Sequence, residues 1–212
     1  MTPRLLVATP VRAAELATAQ VALGWADFRL KLQRELPTLD GTMVFALDVC
    51  RARNRVVGLL LDKPEFRDIS HVLWLDDDTW AEDVRIVAAM MALDLPIVGA
   101  PYTNKSMPLR WTHHIVGGEV MGCGFGFTLT SRALLQELAN KAEWYTDLPG
   151  MLACPNLFGQ LYDNQAGMKT LLSEDYSFCK RARDAGFRIE MLSPDTIIHH
   201  AGGHAFTSRD MP

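Results

Sequence analysis

Three consecutive carboxylates, Asp76-Asp77-Asp78, follow directly on four apolar residues, Val72-Leu73-Trp74-Leu75. An uninterrupted apolar run of this kind predicts a strand buried on both faces, as in parallel sheets. The carboxyl ends of such strands form the rim where open α/β sheets bind ligands. Three adjacent negative charges repel one another unless solvated or neutralised by a cation. In an extended chain Asp76 and Asp78 share a side and Asp77 faces the other way. That pair suits a hard divalent ion, Mg²⁺ or Mn²⁺, with substrate phosphates filling further positions. The competing reading is a solvated acidic loop ahead of the helix that starts near Ala81.

Other residues are placed to join that chemistry. In Ser173-Glu174-Asp175-Tyr176-Ser177-Phe178-Cys179, Ser173 is a good N-cap and acids suit the first helical turn. This suffices for Glu174. Asp175 aligns with Cys179, Ala182 and Gly186, a small inward stripe, where a carboxylate can serve as general base toward an acceptor hydroxyl. Arg53 falls on the apolar stripe of a helix over 48–62, with Val49, Val56, Val57 and Leu60. A buried arginine needs an anion, either a protein carboxylate such as Asp76 or Asp78, or a bound phosphate. Five of the six histidines fall in two places, His113-His114 and His199-His200 with His204. One imidazole beside carboxylates favours Mn²⁺ over Mg²⁺. Gly122-Cys123-Gly124-Phe125-Gly126-Phe127 lacks the G-x-G-x-x-G spacing of a dinucleotide loop. Its glycines suit close approach of a ligand to the backbone.

The elements that must position these residues alternate in the first half of the chain. Strands are predicted over 4–9, 42–46, 71–76 and 97–100, with helices over 12–36, 48–62 and from Val84 to before Pro96. This alternation predicts an α/β fold with right-handed crossovers and a mostly parallel central sheet flanked by helices. The second half predicts possible antiparallel strands within 107–121, a strand over 125–130, a helix over 131–141 and a long aperiodic stretch over 144–172. A helix over 173–185 closed by Gly186, strands over 187–192 and 196–200, and an irregular tail complete the chain.

Bulk properties narrow the class. The 212 residues suit one large domain or two small ones, and 49% hydrophobic with 22% charged residues is an ordinary globular balance. A net charge of −4 opposes wholesale nucleic-acid binding and leaves room for a local basic patch. The four cysteines are far apart with no C-x-x-C, so neither a zinc site nor a disulfide framework is expected. A reducing cytoplasm is the simplest compartment. No window reads as a signal sequence or a transmembrane segment.

Taken in order, these pieces resemble the GT-A glycosyltransferases. The likeness is closest to small family 2-like enzymes of bacteria and phages, and it spans roughly residues 3–204. It rests on Ala52-Arg53-Asn54, the aspartate-x-aspartate of Asp76-Asp77-Asp78, and Ile97-Val98-Gly99-Ala100-Pro101-Tyr102-Thr103-Asn104-Lys105. It continues through Gly122–Phe127, Ser173–Cys179 and His200-Ala201-Gly202. The resemblance implies a Rossmann-like sheet with a smaller antiparallel acceptor-side portion, in one domain over 1–212. Its nucleotide-binding half would be about 1–105, its acceptor side 106–204 and its tail 205–212.

The resemblance also implies roles. Asp76, Asp78 and His200, with His199 in reserve, would hold Mn²⁺ or Mg²⁺ against a nucleoside-diphosphate sugar. Thr9, Pro10, Arg53, Asp76, Asp77, Lys105 and Gly124 would border that donor, Asp77 being the most dispensable of the acidic run. Asp175, beside Glu174, would be the base of an inverting transfer or orient the acceptor in a retaining one. The acceptor would be a saccharide or a modified DNA base. Trp144, Tyr145, Phe158 and Tyr162 would cover its side, and Lys105, Arg110, His113 and His114 would line a groove toward it. A nucleotidyltransferase is disfavoured because Thr9-Pro10-Val11-Arg12-Ala13-Ala14 holds no glycine. A receiver domain would be too short, and a binding module without turnover is the non-enzymatic alternative.

Overall fold

Alternation within the apolar strands sets the architecture. Leu6, Ala8, Val72 and Trp74 enter one buried cluster while Leu5, Val7, Leu73 and Leu75 enter another. Successive side chains on a strand face opposite ways, so the central sheet is covered on both faces. The computed structural model describes residues 4–12, 19–36, 39–46, 48–105, 107–146, 150–165, 167–201 and 205–207.

In chain order the elements are β1 (Arg4–Arg12), α1 (Ala19–Glu35), β2 (Leu39–Ala46), α2 (Val49–Asp62), β3 (Ile69–Leu75), β4 (Thr79–Ala81), α3 (Arg85–Ala92) and β5 (Ile97–Gly99). Then come β6 (His113–Val116), β7 (Glu119–Cys123), β8 (Phe127–Ser131), α4 (Arg132–Lys141), β9 (Trp144–Tyr145), β10 (Cys154–Pro155), β11 (Tyr162–Gln165) and β12 (Met168–Leu171). The chain continues through α5 (Glu174–Asp184), β13 (Ile189–Met191), β14 (Ile198–Ala201) and β15 (Ala205–Phe206).

Six strands form the central sheet in the order β13-β5-β8-β3-β1-β2. β1 runs parallel to β2 and β3, and β13 parallel to β5. β8 runs antiparallel to both β3 and β5, so the sheet is mixed. The sequence of β8 carries no mark of direction, because a strand buried on both faces looks the same either way. Helices α2, α4 and α5 cover one face and α1 and α3 the other. Trp74 anchors the middle, its indole N–H donating to Thr130 Oγ1 at 2.9 Å.

Capping residues place the helices. Asp48, Ser131 and Ser173 each accept a backbone N–H of the first turn of α2, α4 and α5. Gly186 closes α5 at φ 88°, the left-handed region that favours glycine. The stretch over 144–172 holds two short hairpins, β9–β10 and β11–β12. Asn54 ties that stretch to α2. Its side-chain oxygen accepts from the Leu157 and Phe158 N–H groups at 3.0 Å, and its amide donates to the Tyr145 hydroxyl at 3.1 Å.

Three local expectations are revised. The first strand runs on to Arg12, where a helix was expected to begin, and 13–18 lie outside the described residues. The tail is not wholly irregular, since Ala205–Phe206 pairs with His200–Ala201. Phe158 does not cover an acceptor; it lies in the core against Trp74, Phe125 and Phe178. The apolar surface of an aromatic ring favours the core wherever the chain can reach it. All four cysteines are free.

Candidate functional site

Strand β3 stops at Leu75, and the three aspartates form a turn rather than an extended segment. The Asp76 N–H donates to the Gly126 carbonyl at 3.0 Å, and the Thr79 N–H to the Asp76 carbonyl at 3.2 Å. Period-two alternation ends with the strand, so Asp76 and Asp78 do not share a side. They enter two different clusters.

Asp76 turns inward to Arg53. Its Oδ1 accepts from Arg53 Nη2 at 3.1 Å. The other arm of the guanidinium, Nη1, pairs with Asp175 and lies 3.5 Å from Glu174 Oε1. Arg53 is only 1% exposed, and its guanidinium lies over the rings of Phe125 and Phe158 at 5.7 and 5.6 Å. Burial opposes its charge, but Asp175, Asp76 and Glu174 together raise its pKa. The anions that a buried arginine demands are thus protein carboxylates. Asp175 Oδ2 also accepts the Phe125 N–H at 3.0 Å. Burial pushes the Asp175 carboxyl up to about 6, opposed by Arg53 and reinforced by Glu174 and Asp76.

Asp78 turns the other way. One oxygen pairs with the Lys105 ammonium. The other, Oδ1, is buried without a hydrogen-bond partner, 3.7 Å from His200 Nε2. His200 Nδ1 lies 2.6 Å from the Thr103 carbonyl, which can only accept, so Nδ1 carries the hydrogen. The Nε2 lone pair is left facing Asp78. Burial lowers the His200 pKa, against the backbone hydrogen bond that raises it, so the ring is held toward its neutral, ligating form. The edge of the Tyr102 ring meets His200 at 5.0 Å.

Alternation along β14 sends His199 elsewhere. It stacks on Trp80 at 5.0 Å and approaches Glu82 at 3.4 Å. His204 and Gly202 lie outside the described residues. Between the two clusters Asp77 is half-buried, and its carboxyl is pushed up to about 6 by burial, then by Asp78 and Asp76.

The remaining residues are placed as follows. Thr9 and Pro10 are buried near the carboxyl end of β1, with Thr9 opposite Met43 of β2. The close approach expected of a ligand at Gly124 is made by Tyr102 instead. A Cβ on Gly124 would strike the Tyr102 hydroxyl, and one on Gly126 would come within 2.7 Å of it. That hydroxyl accepts the Gly126 N–H at 2.8 Å. Tyr102, Asn54 and Phe125 therefore shape the site without having been given roles from sequence. The signal for Tyr102 was its spacing of three residues before Lys105. His113 tilts against Trp111 at 5.4 Å, whereas His114 lines a separate cleft with Arg183.

Among the described residues, no group of three or more His, Cys, Asp or Glu side chains is arranged to hold a metal. Asp78 and His200 offer a donor pair, an orphaned carboxylate oxygen facing an imidazole lone pair. That pair fits a divalent ion whose other ligands come from a phosphate and water. No helix among the described residues is long and apolar enough to cross a membrane.

No family model matches the chain, and no curated protein matches it in sequence. Solved structures do. The crystal structure of A197 from STIV superposes with a TM-score of 0.57 at 19% identity, over 94% of this chain and 86% of that one. The catalytic domain of Drosophila beta1,4galactosyltransferase 7, solved with xylobiose, superposes with a TM-score of 0.50 at 11% identity. That match takes in 89% of this chain but only 64% of the galactosyltransferase domain. At these identities the likeness establishes the fold alone, shared with these two structures.

Proposed function

We propose that this protein is a glycosyltransferase that moves a sugar from a nucleoside-diphosphate donor to a hydroxyl of a saccharide acceptor. The observation that carries the reading is the buried, unpartnered Asp78 Oδ1 facing His200 Nε2 at the rim of a glycosyltransferase-like sheet. Such an oxygen is costly to bury unless something completes it. Mn²⁺ or Mg²⁺ held by Asp78 and His200 would neutralise the charge that develops on the departing diphosphate.

The chain's own residues do the rest. Thr9 and Pro10 border the nucleobase at the end of β1. Lys105, already beside Asp78, adds positive charge where the diphosphate must lie. Asp175 takes the acceptor hydroxyl's proton. Its carboxyl is raised to about 6, so it stays ionised at neutral pH while gaining basicity. Arg53 and the Phe125 N–H hold it in one orientation. Trp144 and Tyr162 are exposed aromatic rings of the kind that stack on sugars, Lys169 lying over one face of Tyr162, and the net charge of −4 disfavours duplex DNA as acceptor.

A thermal-shift panel of UDP, GDP, ADP, CDP and TDP sugars with and without Mn²⁺ tests the donor site, since a ligand selective for the folded state must stabilise it. One nucleotide should raise the melting temperature only with the metal present. If none does, the donor site is not there. Radiolabelled sugar transfer with the same donor then separates an enzyme from a binding module.

A further inference from the structure

Away from the acidic turn, a cleft of about 310 Å³ opens between the β6–β7 hairpin, α5 and the β11–β12 hairpin. His114, Asn164, Asp163, Tyr176 and Arg183 give it polar walls. Tyr176 and Arg183 are two turns apart on one face of α5, about 10 Å along its axis. Tyr176 is adjacent to Asp175 and packs against Gly122, where a Cβ would come within 2.8 Å of its ring. The cleft and the carboxylate assigned as base thus take neighbouring positions of one helix.

Arg183 is the unusual group here. Its Nε is buried without a hydrogen-bond partner, and its Nη1 reaches only the Met121 thioether at 3.6 Å. Among the described residues no carboxylate forms an ion pair with it. Asp163 leans toward Lys180 at 3.9 Å. On the other side of Arg183, Glu190 is held by Arg188 at 2.8 Å. A guanidinium presents a planar fork of donors suited to two oxygens of one anion, and this fork is unfilled.

We propose that this cleft is an acceptor subsite for an oxyanion, the carboxylate of a sugar acid or a phosphate group, gripped by Arg183 with His114 and Asn164 alongside. The term acceptor rests on the glycosyltransferase reading; the anion site does not.

Titration of the nucleotide-free, metal-free protein followed by NMR tests it, with glucuronate, inorganic phosphate and neutral glucose as probes. Glucuronate or phosphate should shift the Arg183 Nε–H resonance and the Met121 and Tyr176 amides saturably, and glucose should not. The tighter of the two anions names the source. Arg183→Gln should weaken binding roughly tenfold or more. Should that variant fail to melt cooperatively, the Nε–H shift in the unaltered protein decides. No saturable shift with either anion, or undiminished binding in a folded Arg183→Gln protein, overturns the subsite. Failure of the donor reading would appear separately, as no Mn²⁺-dependent nucleotide shift in the thermal panel.

Discussion

Two clusters meet at the end of β3, and they solve the same electrostatic problem in opposite ways. Around Arg53 one fully buried cation is matched by Asp175, Asp76 and Glu174, and aromatic rings flank it. Around Asp78 a carboxylate is matched on one oxygen by Lys105 and left bare on the other, beside a histidine with a free lone pair. The first cluster has its charges matched within the protein. The second is incomplete, and an incomplete buried site is where a ligand gains most. Two aspartates of one acidic run thus have different surroundings, Asp76 paired with a buried arginine and Asp78 left with one bare oxygen.

The sharpest way to break the comparison is Arg53→Met. It would leave Asp175, Asp76 and Glu174 without their cation, at an expected cost of about 3–5 kcal/mol of stability in denaturant melts. If the variant is as stable as the parent, the closed cluster is not structural. Asp78→Ala should do the reverse, leaving the melt without ligand nearly unchanged. It should abolish the stabilisation by Mn²⁺ with nucleotide, about 2.7 kcal/mol when ligand is at one hundred times Kd. A preserved metal response would place the cation elsewhere.

Asp175→Asn tests the catalytic role proposed for a member of the first cluster. It should eliminate sugar transfer while nucleotide binding, read by titration calorimetry, stays within a few-fold of the parent. Transfer that survives would reduce Asp175 to a partner of Arg53.

The smallest effect is expected at Asp77. Its folded-state carboxyl titrates near 6, above the ordinary aspartate value of about 3.9. The folded protein therefore holds more proton than the unfolded chain between those values, and this group's contribution to stability declines as pH rises through that window. Asp77→Asn should flatten that part of the profile and raise the melting temperature at pH 7 by on the order of 2 °C, the site being partly solvent-screened. A lower melting temperature at pH 7 would show that the ionised Asp77 is stabilising after all.

Much of the scaffold was legible because it is local. The apolar run of β3, the caps Asp48, Ser131 and Ser173, and the glycine after α5 each act within a few residues. The inward stripe that singled out Arg53 and Asp175 was also readable, as was the need of Arg53 for an anion. What that anion is was not readable. The Arg53–Asp175 pair joins residues 122 positions apart, and the Arg53–Asp76 pair joins residues 23 apart. Likewise Gly124 signalled close approach without saying that Tyr102 makes it.

By itself, then, the sequence determined the apolar strands of the central sheet, the capped helices and which residue types gather at their ends, since hydrophobic period and capping are properties of neighbouring residues. Only the tertiary structure decided that β8 runs against its neighbours, that the acidic run divides at a turn, and that His200 rather than His199 meets Asp78. Those outcomes depend on which distant groups are brought within a few ångströms. Electrostatic and hydrogen-bond energies are settled at that range, and spacing along the chain does not encode it.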